Sequence, residues 1–157
     1  MKTFNDNAAR TWTVTINVDA IKRVKGLLNV NLLDAVEGKL LERLIADPVL
    51  LCDVIYAVCK PEADAHNVTD EDFGRAMAGD AIDLAATALL EELVSFFPQG
   101  RRRLLAKALE KLRTLEAMAL QAAQMRLESP ELQRELEAAL GSSSGSLPAS
   151  SASSPVP

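Results

Sequence analysis

At 157 residues, 48% of them hydrophobic and 25% charged, the chain has material for one ordinary core and enough surface charge to stay in solution. A formal net charge of −5 excludes a general binder of nucleic acids or anionic membranes, because counterion release needs a basic surface. No apolar run reaches bilayer length, and Met1 to Asp6 carries no hydrophobic signal region, so the expected compartment is the cytoplasm of the cell that makes the protein.

The chain opens on its one clear β signal. Trp12, Val14, Ile16 and Val18 alternate with Thr11, Thr13, Thr15 and Asn17, which predicts a half-buried strand. Lys2 to Asn5 is its expected partner across a turn at Asp6-Asn7-Ala8-Ala9. A lone hairpin is marginal in water, so its apolar face, with the single tryptophan, is expected to lie on helices as a lid or a partner-facing flap.

Asp19 is placed to cap a short helix carrying Ile21, Val24, Leu27 and Leu28, with Gly26 inside it and a break at Asn29-Val30-Asn31. Leu32, Leu33, Val36, Leu40, Leu41, Leu44 and Ile45 then predict one amphipathic helix with Gly38 as a tolerated weak point.

The stretch around which everything else is organised follows, from Asp47 to Phe97. Asp47-Pro48 reads as an N-cap with proline at the first helical position, and Leu50, Leu51, Val54, Ile55 and Val58 repeat at helical spacing until Lys60-Pro61 stops the helix. After a polar loop, Thr69 offers a capping hydroxyl, and Asp70, Glu71 and Asp72 complement the positive end of a short helix reaching Met77. Gly79-Asp80 restarts the pattern, and Ile82, Ala85, Ala86, Leu89, Leu90, Leu93, Phe96 and Phe97 form a wide stripe before Pro98.

Beyond the turn at Pro98-Gln99-Gly100, Arg101-Arg102-Arg103 opens a long helix to about Glu128. Leu104, Leu105, Ala108, Leu109, Leu112, Leu115, Ala119 and Ala122 make a stripe that Met118, Leu120 and Met125 widen beyond one narrow seam. Arginines at a helix start oppose its dipole; without interleaved aromatics they read as a solvated or salt-bridged turn, not as a nucleic-acid site. Ser129-Pro130-Glu131 starts a last short helix through Leu140. From Gly141 the chain is Ser/Gly/Pro-rich, uncharged and expected to be disordered.

The sequence offers no chemistry-bearing pattern. His66 has no partner histidine at helical spacing, Asp70-Glu71-Asp72 lacks the calcium-loop pattern, and no phosphate loop or nucleophile elbow stands in the chain. Cys52 and Cys59 lie seven apart on one helix, roughly 10 Å along its axis, too far for a bridge, and read as reduced core thiols. The expectation is therefore a mainly α protein: a compact helical bundle with an N-terminal β-hairpin (1–18), a helical region (19–140) forming a single domain with it, and a tail (141–157). It is expected to be no enzyme and to use no cofactor or metal.

The order of elements carries one resemblance. The hairpin of Phe4-Asn5-Asp6-Asn7 and Arg10-Thr11-Trp12-Thr13-Val14, then helices, then Val68-Thr69-Asp70-Glu71-Asp72-Phe73 before a long apolar helix, resembles the tail assembly chaperones of long-tailed bacteriophages. The resemblance covers residues 2–98. It implies a cytoplasmic protein of the bacterial host, absent from the mature virion, that coats the tape-measure protein and recruits tail-tube subunits. It also implies a longer, frameshifted form, for which 141–157 would serve as a joint.

The mechanism so implied is that of a holdase. A tape-measure protein is a long helical chain whose apolar stripes self-associate unless shielded, and helix-in-groove contacts shield them. Candidate groove residues are Val94, Phe96, Phe97, Leu104, Leu105 and Met118, with Trp12 as a hairpin anchor, and each of them reads equally as ordinary core. The competing classes are a helical adaptor or self-assembling scaffold, and a DNA-binding regulator working through Arg101 to Arg103. Closed oligomers without a client would mark the first, and binding that falls steeply with salt the second.

Overall fold

Two antiparallel strands, β1 (Lys2–Asn5) and β2 (Thr11–Val14), lead into a mainly α chain. The structure is a computed structural model, and it describes residues 1–143. The expected disordered tail lies outside those residues except for Gly141 to Ser143, which extend the last helix instead of ending it.

The hairpin register pairs Phe4 with Trp12 and Thr3 with Thr13. Its turn is fastened by Asp6, whose carboxylate accepts from the backbone N–H groups of Ala8 and Arg10, each at 2.9 Å. Ala9 stands at φ 60°, a left-handed position that favours glycine or asparagine, and the Asp6 contacts hold it there. Alternation puts Phe4, Trp12, Val14 and Ile16 in the core. It does not reach Val18, which is 58% exposed because the chain has already turned into α1 (Val18–Leu28). The cap of that helix is Asn17, accepting from the Ala20 N–H; Asp19, the expected cap, sits in the first turn and pairs with Arg23.

The single helix expected over 32–45 is two. Leu32–Glu37 is a 3-10 helix capped by Asn31, Gly38 then takes φ 83°, and α2 (Lys39–Ala46) begins. Gly38 is thus the joint itself, since that left-handed conformation costs other residues about 1 kcal/mol or more.

Helix α3 (Pro48–Ala65) starts as the sequence predicts, with Asp47 accepting from the N–H groups of Val49 and Leu50. It does not stop at Lys60. Pro61 lies inside it and cannot donate to the carbonyl of Ala57, one turn back. Arg23 of α1 supplies the missing donor: its Nη1 reaches the Ala57 and Val58 carbonyls at 3.1 and 2.9 Å.

Thr69 caps α4 (Asp70–Arg75), and Gly79, at φ 58°, allows the sharp restart of α5 (Asp80–Phe96). Helix α3 packs against α1, α2, α4, α5 and β2, while β1 lies on α5. The stretch between Asp47 and Phe97 therefore forms the centre, with the hairpin laid over it. Trp12 meets Phe73 edge-on, ring centroids 5.2 Å apart, and Tyr56 packs on the other side of Phe73 at 5.4 Å.

The outer margin of β2 is closed by α3. Glu62 Oε2 accepts from the Thr13 N–H at 2.9 Å, and Cys59 Sγ donates to the Thr13 carbonyl at 3.5 Å.

Two helices complete the described chain, α6 (Gln99–Leu127) and α7 (Pro130–Ser143). The chain divides within α6 into two units, Met1–Arg113 and the part from Thr114 onward.

Candidate functional site

Helix α6 begins fixed to the core. Phe97 adopts extended backbone before Pro98 and ends α5, leaving the last carbonyls of that helix without helical donors. Arg102 takes two of them, its Nη2 reaching Ser95 O at 2.7 Å and its Nε reaching Phe97 O at 3.1 Å. One of the three arginines at this helix start is therefore a cap for the preceding helix. Arg101 and Arg103 are exposed beside it.

Leu105 and Leu109 then enter the core and Leu112 is half-buried against it, one helical face at spacings of four and three. From Arg113 to Glu128 every side chain is exposed. Leu115, Met118, Ala122 and Met125 line up on a face turned roughly a third of a turn from the buried one, and Leu104 belongs to the same face. Leu115, Met118 and Met125 are 52%, 59% and 66% exposed. Leu120 and Leu127 add a second apolar edge, and Leu136 and Leu140 of α7 are likewise exposed. Such a density of exposed Leu and Met makes this stretch a candidate interaction surface.

The candidate residues divide accordingly. Trp12, Phe97 and Leu105 are 1–2% exposed and serve the core, so no client can reach them in this fold. Val94 and Phe96 are half-buried at the core margin, Phe96 meeting Phe97 edge-on at 5.4 Å. Leu104 and Met118 are on the surface at 59% each. A single groove is not assembled from these seven. The residues that share an exposed face with Met118 are Leu104, Leu115, Ala122 and Met125, which the width of the α6 stripe signalled without telling which side would be covered.

Elsewhere, a cavity of about 490 Å³ is lined by Arg10, Thr11, Trp12, His66, Asn67, Val68 and Asp72. The Arg10 guanidinium beside it is engaged by Asp6 Oδ2 at 2.8 Å and by the Asp72 carbonyl at 3.1 Å. Burial acts to raise the Asp6 carboxyl, but hydrogen bonds from Trp12 Nε1 and from Arg10, together with the Arg10 charge, outweigh it and hold the group below the usual carboxylate value. Burial pushes the Cys59 thiol up to about 12, with Glu62 adding to the rise and Arg23 opposing it. Among the described residues, no group of three or more His, Cys, Asp or Glu side chains could hold a metal ion, and no helix is long and apolar enough to cross a membrane. Comparisons with protein-family models, with curated proteins and with solved structures gave no match.

Proposed function

We propose that this protein is a non-catalytic holdase that shields the apolar stripes of a helical client, in the manner of a phage tail assembly chaperone. Its client would be the tape-measure protein and its second partner the tail-tube subunit, in the cytoplasm of the bacterial host, with no place in the finished virion. The observation carrying this reading is the exposed face of Leu115, Met118 and Met125 on α6. Methionine suits such a surface because its unbranched, polarisable chain adapts to successive anchors of a long client.

Coexpression with the tape-measure protein of the same genome tests it. The wild-type chain keeps the client soluble and is retained with it. Met118→Glu with Met125→Glu weakens retention about tenfold or more, as loss of central apolar anchors does. Near-ultraviolet circular dichroism of the Trp12 and Phe73 cluster stays unchanged, because those rings lie in the other unit. A client that aggregates equally with and without the chain, or full retention by the folded double variant, overturns the proposal. The reading also expects a slippery run and an overlapping frame at the 3′ end of the gene.

A further inference from the structure

We draw no further inference here: the strongest candidate, the cleft between the hairpin turn and the α3–α4 corner lined by Arg10, His66, Asn67 and Asp72, carries none, because its charged side chains are already answered within the protein, Arg10 by Asp6 and Asp72 by Arg75, and nothing in the structure shows what it would take.

Discussion

Asp6 does more than any other side chain to define the hairpin. It accepts from Trp12 Nε1 at 2.9 Å, from Arg10 Nε at 2.8 Å and from two turn amides, so one carboxylate ties the buried indole to the loop geometry. Asp6→Ala leaves the indole N–H buried without its acceptor and should cost about 1–3 kcal/mol in urea unfolding. Because the folded-state pKa is lowered, the stability Asp6 contributes is full above the unfolded value near 3.9 and is lost as pH falls through the folded value. Stability measured below pH 4 should therefore fall less steeply for Asp6→Asn than for the wild type. Asp53 has the opposite sign: burial, then Asp70 and Asp47, raise its pKa, so its charge destabilises the fold at neutral pH and ceases to do so below the unfolded value. Asp53→Asn should raise the melting temperature at pH 7, and that advantage should vanish in acid. Cys59, raised to about 12, should react with a thiol reagent only after denaturant is added.

At the scale of elements, a side chain that answers its own backbone gives a local signal, legible at Asp47 and Thr69 and missed at Asn17, where Asp19 was the expected cap. Asp47, Asn31 and Thr69 each accept from an N–H two or three residues on, and helix starts can be read from such residues. One misreading has a longer-range cause. Pro61 is a stop by every local rule, yet α3 continues because a guanidinium from 38 residues earlier takes the orphaned Ala57 carbonyl, a contact no spacing within α3 encodes. The same origin gives a double-mutant test. Arg23→Ala should cost about 1–2 kcal/mol in the wild-type background and distinctly less in Pro61→Ala, where a restored N–H can serve Ala57 itself. Additive losses would remove Arg23 from this role. At Gly38 the difference has another cause: composition alone does not distinguish a glycine tolerated within a helix from one placed at φ 83° between two.

For the molecule as a whole, the mainly α architecture and the central place of the 47–97 stretch were open to sequence reasoning, since both follow from apolar periodicity. The candidate surface was only partly so. Periodicity identifies apolar faces but not which of them another element covers, and Trp12, Phe97 and Leu105 went to the core while Leu115 and Met125 stayed outside. A chain ending at Arg113 should keep the thermal unfolding midpoint of the full protein to within about 2 °C, because nearly all the described side chains from Thr114 to Ser142 are exposed. It should also lose client retention completely. There is a counterpart on the hairpin. With the amide and carbonyl of Thr13 both engaged by Glu62 and Cys59, the flank of β2 offers an arriving extended chain no ladder at that rung. That rung is therefore closed to strand-by-strand growth, whatever extended chain the hairpin meets.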